Sequence, residues 1–98
     1  MTSDRIRAVR GEADAQAVCA DIRRSGAFVE FASRFMRDDD RKVARNALWI
    51  LTKATGDELS ALQPMLDEFI RLAMQTPDSS VRRLSLNVIE RLEISKDT

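Results

Sequence analysis

The stretch AFVEFASRFMRDDDRKVARNALWILTKA, Ala27 to Ala54, decides the fold. The chain repeats it without a gap as MLDEFIRLAMQTPDSSVRRLSLNVIERL, Met65 to Leu92, at an offset of 38 residues. Glu30 falls on Glu68, Phe31 on Phe69, Met36 on Met74, Asp40 on Asp78, Val43 on Val81, Arg45 on Arg83 and Leu48 on Leu86. A fixed period in this range marks a stacked helical array, in which each unit buries its apolar face against its neighbours.

Around the repeat, apolar residues recur at helical spacing and period-two runs are missing. Ser3 is a plausible N-cap for a short segment carrying Ile6 and Val9, which Gly11 should end. Glu12 to Ser25 is a second segment, stopped by Ser25-Gly26. These two pieces read equally well as one helix bent at Gly11. Phe28, Phe31, Ala32 and Phe35 give Ala27 to Arg37 an apolar stripe. One carboxylate of Asp38-Asp39-Asp40 should cap a helix over about Arg41 to Thr55, and Gly56 sits where a left-handed C-cap is wanted. From Asp57 to Gln75, Pro64 should either kink a helix or start its main part after a short first turn. Thr76-Pro77-Asp78 is a turn and cap before a last helix, Ser79 to Glu93, and Ile94 to Thr98 reads as a frayed tail.

A chain of 98 residues is one domain with a modest core. Sixteen basic and sixteen acidic residues cancel, which argues against a strongly electrostatic binder of nucleic acid or membrane. The lone cysteine, Cys19, lies among small apolar neighbours. It reads as a buried thiol in a reducing compartment. Histidine is absent, which removes the commonest general base and metal ligand. The longest apolar run, Ala47 to Leu51, is far short of the ~20 residues of a membrane span. A soluble, cytoplasmic, all-α protein without cofactor or metal is expected. The acidic run Asp38 to Asp40 lacks calcium-loop spacing and is better read as a cap. No nucleophile elbow, phosphate-cradling loop or thiolate cluster is present, so no enzyme activity and no catalytic residue is assigned.

The two copies resemble HEAT repeats, the armadillo-like helical repeats. The carrying residues are Asp78, Val81, Arg82, Arg83, Leu84 and Ser85, ending Val88-Ile89, and Asp40, Val43, Ala44, Arg45, Asn46 and Ala47, ending Ile50-Leu51. Ala44 departs from the family, which usually has Arg there. The stretches Ala47-Leu48-Trp49 and Leu62 to Asp67 are also similar to small, uncharacterised bacterial HEAT-like proteins. The resemblance implies an α-α superhelix of about two helix pairs, 27–55 and 57–93, preceded by an N-terminal helical segment, 1–26. It implies that Arg82 bridges to an acidic residue of the preceding turn. Because arrays of this kind typically need about three repeats, the last one must close by self-association, by a polar outer face, or as part of something longer.

On a helical wheel Val43, Ala47, Ile50, Leu51 and Ala54 form the core arc, and Lys42, Arg45, Asn46, Thr52 and Lys53 the opposite one. Trp49 falls in the middle of that polar arc. Two readings stand: it packs under the N-terminal segment or a helix crossing, or it is a binding anchor, since Trp beside Arg is typical of interface hot spots. The same arc of the second copy carries Arg83, Asn87 and Arg91, with Glu90 beside them. In HEAT-like arrays the second helix of each pair lines the concave surface. The resemblance thus implies a shallow groove of Lys42, Arg45, Trp49, Lys53, Arg83, Asn87 and Arg91, although an ordinary solvated face explains the charges as well. The expected function is non-catalytic protein–protein interaction with an unidentified partner, with self-association through a terminal repeat. The alternative is nucleic-acid or phosphate-backbone binding, as in the HEAT-like DNA-alkylation-repair proteins that this chain resembles by fold analogy.

Overall fold

In the computed structural model, the backbone of residues 1–96 and the side chains of residues 1–94 are described. Seven α-helices follow one another: α1 (Ser3–Arg7), α2 (Glu12–Ser25), α3 (Phe28–Phe35), α4 (Arg41–Leu51), α5 (Gly56–Leu62), α6 (Leu66–Gln75) and α7 (Ser79–Lys96). A 3-10 turn, Gln63–Met65, joins α5 to α6. The all-α architecture follows the apolar spacing, and no strand occurs among the described residues.

The N-terminal region is two helices. The chain between them, Ala8 to Gly11, sends Val9 into the core, and Gly11 is the extended N-cap of α2. Thr2, one residue before the expected Ser3, caps α1 by accepting from the Arg5 amide. Gly26 ends α2 in the left-handed conformation, at φ 67°, as the Ser-Gly signal required. Gly56 does not do the same for α4. That helix ends at Leu51, and Gly56 is instead the first residue of α5, behind a capping box of Thr55 and Glu58. Pro64 interrupts the long fifth segment in a 3-10 turn; it lacks the N–H that an α-helix interior needs. What precedes it is a seven-residue helix rather than a single turn. Of the expected tail, Ile94 to Lys96 continue α7, and Asp97 and Thr98 lie outside the described residues.

Asp40 and Asp78 act as the repeat predicts. Each accepts from an amide of the first turn of the helix it precedes, Lys42 in α4 and Val81 in α7. The core is continuous from Ile6 and Val9 through Phe28, Phe31 and Phe35 to Phe69, Val88 and Leu92. Its centre is α4, which packs against α1, α2, α3 and α7. Val43, Ala44, Asn46, Ala47, Leu48, Ile50 and Leu51 are all buried, so α4 has a much wider buried face than its wheel suggested. Asn46, placed on the polar arc by the wheel, is 5% exposed, because α1 lies across it.

Ion pairs fasten the N-terminal helices to the repeats. Arg7 reaches Asp40 at 2.6 Å, Arg23 reaches Glu58 at 2.6 and 3.1 Å, and Lys53 pairs with Glu12. Cys19 is fully buried in α2, and burial pushes its thiol pKa up, which fits an inert structural cysteine.

Candidate interaction face on α4 and α7

The two second helices run side by side and parallel. At their start, the Asp78 carboxyl is held below its usual range first by the Val81 amide, and further by the Ser80 amide and the charges of Arg41 and Arg45. Near their end, Arg91 Nη2 donates to the carbonyl of Ala54 at 2.5 Å. Arg45, Trp49 and Lys53 on the first strip are therefore the register partners of Arg83, Asn87 and Arg91 on the second.

The seven expected site residues divide into three groups. Lys42, Arg45, Arg83 and Asn87 are exposed. Trp49 is half-buried against the core, with Lys53 Nζ lying 5.4 Å from its ring centroid. Lys53 and Arg91 are engaged in the fold. Lys53 is half-buried in its pair with Glu12, whose carboxyl it holds low, and Arg91 is half-buried with its Nε sealed from water. Trp49 and Lys53 make the one direct contact described within the set. The groove is thus a ridge with a cationic rim at one end and an amphipathic Trp–Lys pair further along.

Arg82 departs from expectation. Its Nε donates to the Ala73 carbonyl at 3.1 Å and its Nη2 to the Thr76 carbonyl at 2.6 Å. It ties the end of α6 to the start of α7 through backbone oxygens, and the acidic partner implied by the resemblance is not among its described contacts.

Two features escaped the sequence. A cleft of about 430 Å³ opens between α2 and α3, with Arg5, Asp21, Glu30, Phe31 and Arg34 on its walls. Three separated segments build it, so no local pattern marks it, and Arg5 and Arg24 both spend their charge on Asp21. The second is apolar: Ile70, Met74 and Leu86 are exposed, although their repeat partners Ala32, Met36 and Leu48 are buried. No cluster of three acidic or thiol groups that could hold a metal ion occurs among the described residues, nor does a helix long and apolar enough to cross a membrane.

A family model described as a HEAT repeat domain matches residues 2–98. The match takes in the N-terminal helices as well as the two copies. Neither a curated protein nor a solved structure matches the chain.

Proposed function

From a chain that belongs to the HEAT repeat family, a helical repeat scaffold, we propose a non-catalytic protein-interaction module that docks its partner on the ridge of α4 and α7. The observation that carries this reading is the parallel pairing of the two helices, with Arg45, Arg83 and Asn87 exposed in register and Trp49 half-exposed one turn on from Arg45. Arginine and tryptophan are the residues from which interface hot spots are built. Arg45 and Arg83 would meet acidic groups, while Trp49 supplies apolar area beside them. Lys53 acts as a positioning residue that holds the Trp49 ring, and Arg91 as one that joins α7 to the end of α4.

Phosphate-backbone binding has less support. Two of the five cations of the expected groove are already committed, Lys53 to Glu12 and Arg91 to Ala54, and the net charge of the chain is zero. Counterion release scales with the number of free cations that reach phosphates.

The test is site-specific photocrosslinking in cells that make the protein. A photoreactive residue in place of Asn87 is expected to capture one defined protein, and capture should disappear when Arg45→Glu and Arg83→Glu are added. The control is the same residue in place of Gln16 on the outer side of α2. Equal capture at both positions, or capture indifferent to the charge reversals, would remove the proposal.

A further inference from the structure

Repeat partners that are alike in sequence are unlike in exposure. Met36 is 1% exposed and Met74 79%, Leu48 0% and Leu86 52%, Ala32 0% and Ile70 36%. In the first copy these positions face the second. Met36 and Ala44 share a small cleft with Leu72, Thr76 and Val81. Leu48 lies about 200° around α4 from Asn46, whose side chain points into the N-terminal segment, so Leu48 points towards α7. In the second copy the same register presents Ile70, Met74 and Leu86 on the far side of α6 and α7. Among the described residues nothing covers them.

The charges at the two ends of this apolar face differ in sign, with Arg71 lying between them beside Ile70. Helices α6 and α7 are antiparallel: Arg82 at the start of α7 reaches the end of α6, and Gln63, just before α6, donates to the Leu92 carbonyl at 2.6 Å. Asp67 therefore lies at the same end of the face as Glu90 and Glu93, whereas Arg82 and Arg83 occupy the other end, Arg83 on the edge that this face shares with the ridge of α4 and α7. We infer that this face is a homodimer interface, closed by a two-fold axis lying across the helices, so that α6 meets α6 and α7 meets α7 of a second copy, each antiparallel.

Three observations select a second copy in that arrangement. The first is continuity, because the face repeats the register with which the first copy already receives a helix pair of this same chain. The second is self-complementarity. An axis across the helices lays the acidic end of one copy on the basic end of the other, whereas an axis along the helices would lay acid on acid. The third concerns head-to-tail stacking, which would need an apolar face at the opposite end of the array. Helix α2 offers none: Ala13, Gln16, Ala17, Ala20 and Arg24 are its outward residues, and no large hydrophobic is among them. An isologous contact of this kind closes at two copies. The face presents three exposed large apolar side chains on two helices, small beside the ~800 Å² per partner of a standard interface, so the dimer is weak and concentration-dependent.

Sedimentation equilibrium of the purified chain, from about 5 to about 500 µM at low salt, tests the inference. Mass is expected to rise from monomer to dimer and stop there. Leu86→Lys and Met74→Lys, both at exposed positions and both leaving the helical circular dichroism and Tm intact, should each raise the dissociation constant at least about tenfold. Arg83→Glu and Glu90→Arg should each weaken the dimer. The double variant should restore it, because the swapped ends still match across a two-fold. A monomer at every concentration would overturn the inference, as would a dimer that is indifferent to Leu86→Lys and Met74→Lys. Growth beyond two copies, or a double swap that fails to rescue, would overturn the two-fold arrangement.

Discussion

Asn46 holds Ile6 across forty residues of chain: its Nδ2 donates to the Ile6 carbonyl at 2.9 Å and to the Val9 carbonyl at 3.2 Å. These are carbonyls at and just beyond the end of α1; the Ile6 oxygen also accepts from the Val9 amide at 3.2 Å, and Asn46 is the donor described for the Val9 oxygen. One buried amide thereby docks the N-terminal helix on α4. The second copy has Leu84 at the same place, an apolar side chain buried in the core.

Asn46→Leu, which imports the residue of the second copy, should therefore cost about 1–3 kcal/mol, because it leaves the Val9 carbonyl without its donor and the Ile6 carbonyl with only the Val9 amide. Urea unfolding measures the loss, and hydrogen exchange should place it at residues 3–10. A variant as stable as the parent would show that water satisfies those carbonyls.

Ser85 should behave in the opposite way. Its hydroxyl is fully buried and has no described partner, and its repeat equivalent is Ala47. Ser85→Ala removes an unsatisfied polar group, so stability should stay level or rise by about 1 kcal/mol. A drop of that size in Tm or urea midpoint would mean that the hydroxyl is bonded in solution.

Trp49 is neither wholly core nor wholly surface. Truncation of a fully buried Trp costs about 3–5 kcal/mol, and half-burial scales the expected cost of Trp49→Ala to about 1–3 kcal/mol. As the lone tryptophan, it reports its own surroundings. Its fluorescence should be shifted by Lys53→Met, which removes the ammonium from above the ring.

Acid should loosen the clamp between α2 and α5. The Glu58 carboxyl is held below its usual range, first by its hydrogen bond from Arg23 and also by the Thr55 amide and hydroxyl. Its folded pKa lies below its unfolded value, so the unfolded chain binds the proton more readily. The stabilisation is present above the unfolded value and is lost as pH falls through the folded one. Asp40, beside Arg7, shifts in the same direction. Stability measured from pH 7 down to pH 3 should fall, and Glu58→Gln should flatten part of that fall.

The two boundary glycines should part company. Gly26→Ala forces a side chain into the left-handed region and should cost about 1 kcal/mol. Gly56 has ordinary backbone angles and open space where a Cβ would go, and it begins a helix. Gly56→Ala should raise stability by about 0.5–1 kcal/mol. Equal effects in thermal unfolding would contradict the structural difference between them.

The residues that the sequence read correctly are those whose role is local. Asp40 and Asp78 cap the helix that follows them, Gly26 takes the turn that only glycine takes cheaply, and Phe28, Phe31 and Phe35 share one side of one helix. Asn46 differs from its sequence reading because its surroundings are distant: α1 converts it from a solvated residue to a buried one. Gly56 differs for a local reason, since the adjacent capping box of Thr55 and Glu58 makes it the beginning of a helix rather than the end of one. The candidate site was legible as a strip of residue types. How many of its charges were free was not, since Glu12 and the Ala54 carbonyl reach Lys53 and Arg91 only in the folded chain.

By itself, then, the sequence determined the helices, the 38-residue register and the caps, because capping and apolar periodicity act within a few residues. Tertiary structure alone decided which copies of identical residues are hidden. Met36 and Met74 carry the same side chain in the same repeat position, yet burial is a property of what packs beside a residue. One copy has a neighbour there, and the other has a face turned outward.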